Sequence, residues 1–144
     1  MIEQDTVKLL RECDAGIRMG ISSIEEMLGY TKNQELRDVL TGCRSTHGKL
    51  QEDINEQLNR FHDEGKEPAA MAKGMSWLKT NMKLAMDDSD STVADLVTDG
   101  CNMGIKSLSR YLNQYQAADE KSKSLAKRLI SSEEKLVTDV RRFL

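Results

Sequence analysis

The sequence predicts an all-α protein, a four-helix bundle built from one helical hairpin that is used twice. Apolar residues recur at helical spacing in four long segments, and two stretches of sequence are repeated at nearly the same offset. The 144-residue chain is 38% hydrophobic but only 4% aromatic and has one proline. A sheet protein would need more aromatic and β-branched residues. The length suits a single domain, assigned to residues 1–144.

The four helices are delimited by residues that commonly start or stop helices. The first apolar stripe ends at Gly29, and Thr31 or Asn33 can cap the second helix. The second helix ends at "DEGKEP". The third begins after "DDSDST", whose Ser and Asp residues are good N-caps, and the fourth follows "QAADE". The core positions expected on the third helix are Val93, Leu96, Gly100, Gly104, Leu108, Tyr111 and Tyr115.

A long connection between the second and third helices carries a further apolar stripe. It follows Pro68, which suits a first helical turn, and runs from Met71 to Met86 with half of the eight methionines. We expect a shorter extra helix here that covers the bundle. Its methionines either fill an irregular groove or form a surface that binds a protein partner.

The repeat consists of two pairs of matching stretches. "MGISSIEEML" from Met19 matches "MGIKSLSRYL" from Met103, at an offset of 84 residues. "KLQEDINEQL" from Lys49 matches "KLVTDVRRFL" from Lys135, at an offset of 86. Two ordered matches with similar offsets indicate a duplicated hairpin, although helices with similar apolar patterns also resemble each other by chance. The long connection then lets the second hairpin return to the starting end of the bundle.

Two pairs of glycines lie on single helix faces at similar heights. Gly16 and Gly20 belong to the first helix, and Gly100 and Gly104 to the third. A glycine inside a helix costs about 1 kcal/mol relative to alanine, so these positions need an explanation. The glycines let the first and third helices approach closely, leave room for a bulky neighbour, or are simply tolerated.

Four stretches carry a family resemblance: "IRMGISSIEEML", "LRDVLTGCRSTHGKLQEDI", "VTDGCNMGIKSL" and "AKRLISSEEKLVTDVRRFL". Together they cover nearly the whole chain and resemble the uncharacterised bacterial ferritin-like proteins grouped as domains of unknown function. Di-iron members of this fold carry Glu on two helices and Glu-x-x-His on the other two. Here Arg44 stands three residues before His47, and no histidine stands three residues after Glu133 or Glu134. The resemblance therefore implies a ferritin-like bundle with degenerate di-iron ligands.

His47 and Glu133 occupy equivalent positions of the two hairpins, each on an otherwise apolar stripe. Because a buried charge is costly unless it is paired, we expect a hydrogen bond or ion pair between them that sets helix register. Alternatively, the helices rotate and one or both of these groups reach solvent. A third interpretation is a metal site for iron or zinc, although the spacing matches no zinc signature and buried cysteine is common as a small hydrophobe. Its candidate ligands are His47, Glu133, Asp14, Cys13, Cys43 and Cys101.

Charge and cysteine content exclude several functional classes. The net charge is −3 and the pI about 5.5, and no Lys/Arg cluster suggests binding to nucleic acid or to an anionic membrane. No apolar run approaches the roughly 20 residues of a membrane span, and no secretory signal is visible. Three widely spaced cysteines are typical of reduced thiols. We therefore expect a cytoplasmic protein.

We expect no catalytic residues, since the sequence has no phosphate-binding Gly loop, G-x-S-x-G elbow or C-x-x-C motif. His62 lies near a helix C-terminus, where its charge is favourable. The expected function is a non-enzymatic structural, stress-related or partner-binding bundle, without a cofactor and homodimeric. One alternative is a metal-binding, oxidoreductase or metal-storage bundle with a non-standard site. Another is a spore- or envelope-associated assembly protein.

Overall fold

A computed structural model describes residues 2–63, 65 and 87–144. This part of the chain is all-helical and contains no strand, which confirms the all-α four-helix bundle. The elements are α1 (Ile2–Leu28), α2 (Gln34–Arg60), α3 (Asp90–Gln114), α4 (Glu120–Val140) and a closing 3-10 turn (Arg141–Phe143). The extra helix predicted at Met71–Met86 lies outside the described residues. None of the helices described here is long and apolar enough to cross a bilayer.

Three of the helices begin with a polar N-cap. The side chains of Asn33, Ser89 and Asp119 each accept the backbone N–H three residues further on, at 3.1, 3.2 and 2.8 Å. These bonds satisfy amide groups that have no partner inside the helix. They confirm the predicted starts of α2 and α3, and they place the start of α4 at the predicted link.

The C-terminus of α2 comes three residues before "DEGKEP". The helix ends at Arg60, and His62 adopts a φ of 55°, in the left-handed region that terminates helices. His62 therefore lies near the helix C-terminus as predicted, but just outside the helix, because the boundary predicted from "DEGKEP" is slightly late.

The apolar core consists of two clusters at opposite ends of the bundle. The α1–α2 end cluster contains Ile24 of α1, Leu40 of α2, Val93 of α3 and Val140 of α4, with their neighbours. The opposite cluster, at the α3–α4 end, contains residues from the other halves of the same helices, such as Leu10 of α1. Hence α2 and α3 run parallel to each other and antiparallel to α1 and α4. The end of α2 and the start of α3 therefore lie at opposite ends of the bundle.

The start of α3 holds the turn between α1 and α2. One carboxylate oxygen of Asp90 accepts the backbone N–H of Lys32 at 2.8 Å, and the other accepts that of Asn33 at 3.1 Å. A carboxylate that accepts two N–H groups forms a stronger contact than a neutral acceptor. The second hairpin is thereby tied to the turn of the first.

The start of α1 holds the turn between α3 and α4 in the same way. Asp5 accepts the backbone N–H of Ala117 at 3.1 Å, and the Thr6 hydroxyl accepts that of Asp119 at 2.8 Å. Asp5 and Asp90 are 85 positions apart, between the two offsets of the sequence repeat. Each hairpin therefore holds the turn of the other through equivalent residues, which supports the interpretation of a duplicated hairpin.

The paired glycines do not bring α1 and α3 into close contact, so the first of the interpretations given for them is wrong. A Cβ atom added at Gly16 or Gly100 would have no atom within 4 Å. Gly100 is exposed, and the following residue, Cys101, lies in the core instead. Successive residues of a helix point about 100° apart, so a rotation of one position moved Gly100 out of the predicted stripe.

The clamp at Asp90 provides a test of this architecture. We expect Asp90→Ala to lower the free energy of unfolding by about 1–2 kcal/mol, because two charge-assisted hydrogen bonds are lost. Asp95→Ala, at an exposed position of the same helix, should change it by less than about 0.5 kcal/mol. Urea unfolding followed by circular dichroism measures both. Equal effects of the two substitutions would contradict a clamping role for Asp90.

Candidate functional site: the polar waist

A polar layer separates the two apolar clusters at mid-height, and we call it the polar waist. All four helices contribute to it, and each of its side chains lies within contact distance of another member. Its members are Gly20 of α1, Cys43 and His47 of α2, Cys101 and Gly104 of α3, and Ser132 and Glu133 of α4.

The centre of the polar waist is a direct contact between His47 and Glu133. His47 Nε2 lies 3.2 Å from Glu133 Oε1. The His47 side chain is 1% exposed and that of Glu133 is 13% exposed. The predicted pair is therefore confirmed, and the alternative in which helix rotation brings His47 to the solvent is wrong.

The second ring nitrogen of His47 also has partners. Nδ1 lies 3.0 Å from the backbone carbonyl oxygen of Cys43, 3.4 Å from the Cys43 Sγ and 3.5 Å from the Ser132 Oγ. The carbonyl is one turn earlier on the same helix and is the best-placed acceptor. Both nitrogens can therefore donate at once, which is the bonding pattern of an imidazolium.

The surroundings favour the charged form of His47. Burial by itself opposes protonation, but the contacts with Cys43 and with the Glu133 carboxylate outweigh it and raise the pKa of His47 to about 10. At neutral pH the ring is consequently an imidazolium, and the contact with Glu133 is a buried ion pair.

Two glycines lie next to this ion pair. A Cβ on Gly20 would lie 3.1 Å from His47 Cδ2, and one on Gly104 would lie 3.7 Å from Glu133 Cδ. The first distance is tighter than an ordinary van der Waals contact and the second is ordinary. Room for a bulky neighbour therefore explains Gly20, whereas a methyl group would fit at Gly104.

Four of the six candidate ligands meet in the polar waist: His47, Glu133, Cys43 and Cys101. The thiol of Cys101 is 4% exposed, and burial, followed by the charge and hydrogen bond of Glu133, raises its pKa. A raised pKa keeps this thiol protonated at neutral pH, whereas a metal ligand must be a thiolate.

The other two candidates, Cys13 and Asp14, lie outside the polar waist. Cys13 belongs to the α3–α4 end cluster, where burial and the neighbouring acidic residues raise its pKa to about 12. The fully buried Asp14 pairs with Arg18 at 3.2 Å and lies against Gly65. In the part of the chain that the structure describes, no three His, Cys, Asp or Glu side chains are arranged to hold one metal ion.

Arg44 stands at the position where a di-iron protein would carry a glutamate. Its guanidinium contacts Glu25 of α1 at 2.8 Å, and both side chains are about half exposed. This residue therefore joins two helices at the surface and contributes nothing to the polar waist.

Two residues of α4 that act on Cys43 are not predicted by the sequence pattern. Ser132 Oγ lies 3.9 Å from Cys43 Sγ, and the Lys135 ammonium interacts electrostatically with the same cysteine. Ser132 lies one helical turn before the core residue Leu136, and this spacing could have indicated an inward position. No sequence pattern pairs Lys135 with Cys43, because α2 and α4 are far apart in the chain.

Comparison of the chain with protein-family models, with curated proteins and with solved structures gives no match.

The ion pair predicts a pH dependence of stability. The pKa of His47 is raised from 6.5 to about 10. The stability that its protonation contributes is therefore fully present below pH 6.5 and is lost as the pH rises toward 10. The free energy of unfolding should fall by up to about 1.4 kcal/mol per pH unit in this range. Denaturant unfolding between pH 6 and 8 measures this slope.

Two glutamine substitutions test whether the ion pair causes this pH dependence. Glu133→Gln removes the charge that holds the proton on His47 and should flatten this pH dependence. Glu134→Gln removes the adjacent exposed charge and should leave the slope unchanged. The same slope in both variants would contradict an ion pair between His47 and Glu133.

The glycines of α1 provide a second test. Gly16→Ala should stabilise the protein by up to about 1 kcal/mol, because the added methyl group meets no atom and alanine favours the helix. Gly20→Ala gains the same propensity but pushes the His47 ring, which hydrogen bonds hold on both sides. We expect it to be less stable than Gly16→Ala by about 1–2 kcal/mol in urea unfolding. Equal stabilisation by the two substitutions would show that His47 moves freely.

Proposed function

We propose that the protein is a non-enzymatic ferritin-like bundle in which an ion pair occupies the place of a di-iron centre. Its role is structural, stress-related or partner-binding. The topology supports the ferritin-like assignment, since two short turns and one connection along the bundle are typical of that fold.

The observation that carries this proposal is the internal pairing of the polar waist. Metal ligation requires a neutral imidazole with a free lone pair. Here His47 is charged, and its two nitrogens face the Glu133 carboxylate and the Cys43 carbonyl oxygen. A metal ion would have to displace a proton that is held to about pH 10 and break both contacts. The ion pair is better suited to fixing helix register than to binding a metal.

Metal content tests the proposal. Untagged protein is purified, incubated with iron, zinc or manganese, desalted, and measured by plasma mass spectrometry beside His47→Ala. We expect the metal content of the wild type to stay well below one equivalent per chain and to match that of the variant. His62→Ala is the matched control, since this exposed histidine lies outside the polar waist.

A near-stoichiometric metal that disappears in His47→Ala but persists in His62→Ala would overturn the proposal. The function would then be that of the alternative, a metal-binding bundle whose site is the polar waist.

A further inference from the structure

Cys43 differs from the other two cysteines in its exposure. It is only partly buried, whereas Cys13 is 0% and Cys101 is 4% exposed. Burial raises the pKa of both Cys13 and Cys101, so these thiols are protonated and unreactive at neutral pH. The difference makes Cys43 the thiol that small reagents can reach.

Two cationic groups, those of His47 and Lys135, act on the sulfur of Cys43. The imidazolium nitrogen Nδ1 of His47 lies 3.4 Å from it, and the Lys135 ammonium of α4 acts on it electrostatically. Lys135 is mostly exposed and also pairs with Asp139 one turn later on α4, so its influence on the sulfur is weaker than that of His47. An electropositive, partly exposed position is where reactive cysteines are found.

The groups of the other helices that face Cys43 and His47 do not disturb the contact between these two residues. From α1 comes Gly20, which has no charge, and from α3 comes the protonated thiol of Cys101. From α4 come the neutral Ser132 and the anionic Glu133, which binds His47 Nε2. Glu133 therefore lies on the ring nitrogen opposite Cys43 and maintains the charge of His47.

We propose that Cys43 is a nucleophilic cysteine, a site at which hydroperoxides and other small electrophiles modify the protein. Cys43, His47 and Glu133 form a chain of nucleophile, cation and positioning carboxylate. The inference is independent of the proposed function, because a bundle without metal or turnover can still be modified at this thiol.

The reaction with a hydroperoxide balances within the polar waist. The Cys43 thiolate attacks the terminal oxygen, a sulfur–oxygen bond forms, and the oxygen–oxygen bond breaks. Sulfur is oxidised by two electrons to the sulfenic acid, and the peroxide is reduced. The leaving hydroxide or alkoxide takes a proton from the His47 imidazolium, which is then replaced from solvent.

Alkylation by iodoacetamide measures the nucleophilicity directly. The folded full-length protein is labelled at pH 7, and peptide mass spectrometry gives a rate for each cysteine. We expect Cys43 to react about tenfold faster in the folded protein than in urea, while Cys13 and Cys101 react more slowly when folded. A Cys43 rate in the folded protein no higher than in urea would overturn the proposal.

Variants identify which charged groups raise the alkylation rate of Cys43. His47→Gln should lower the Cys43 rate about tenfold at pH 7, and Lys135→Gln should lower it about two- to threefold. For Glu133→Gln, the ratio of the Cys43 alkylation rates at pH 9 and pH 6 should approach the ratio found for His47→Gln. A purely structural role of Glu133 would leave this ratio unchanged. Glu134→Gln, the exposed control, should match the wild type.

Unfolding curves establish which variants are folded. If His47→Gln is unfolded, the exposed Lys135→Gln and the wild-type comparison decide the question. Unchanged rates in every folded variant would overturn the proposal, since the charges would then have no influence on the sulfur.

Peroxide provides the chemical readout. After treatment with hydrogen peroxide and dimedone, a probe for sulfenic acid, we expect the adduct at Cys43 in the wild type and in Cys13→Ser. No adduct should form in Cys43→Ser. Labelling distributed equally over the three cysteines, or none at all, would contradict the proposal.

Discussion

The buried ion pair between His47 and Glu133 is the contact on which the arrangement of the bundle depends. Removing one partner of such a pair leaves an uncompensated charge in the core, at a typical cost of about 3–5 kcal/mol. Any sliding or rotation of α2 against α4 would have the same effect, because the two nitrogens of His47 are held on opposite sides. Gly20 leaves the space that the His47 ring occupies, since an added Cβ there would lie only 3.1 Å from the ring.

Contacts at three levels of the bundle relate the two hairpins. Asp90 holds the first turn, and Asp5 with Thr6 holds the second, while the equivalent residues His47 and Glu133 meet at mid-height. Equivalent positions meet at the centre when two copies of one unit are related by a two-fold axis. At this pair of positions the two hairpins carry different residues, and opposite charges attract where two identical charges would repel.

One charge has two consequences for function. The proton on His47 makes the ring a poor metal ligand. The same charge lies 3.4 Å from the Cys43 sulfur and makes that thiol a better nucleophile. A residue that stabilises the core thus also sets the reactivity at its edge.

The sequence alone predicted the four helices, candidate N-caps for the second and third, and, as one of three interpretations, the pairing of His47 with Glu133. These features depend on local spacing, on the bonding of the first helical turn and on the cost of a buried charge without a partner. Only the tertiary structure decided that Cys101 and not Gly100 faces the core, that Asp90 binds a distant turn, and that Lys135 lies near Cys43. A helix turns about 100° per residue, so a rotation too small to disturb the apolar pattern changes which neighbouring side chain points inward. Contacts between distant segments depend on that rotation, and it is fixed only when all four helices pack together.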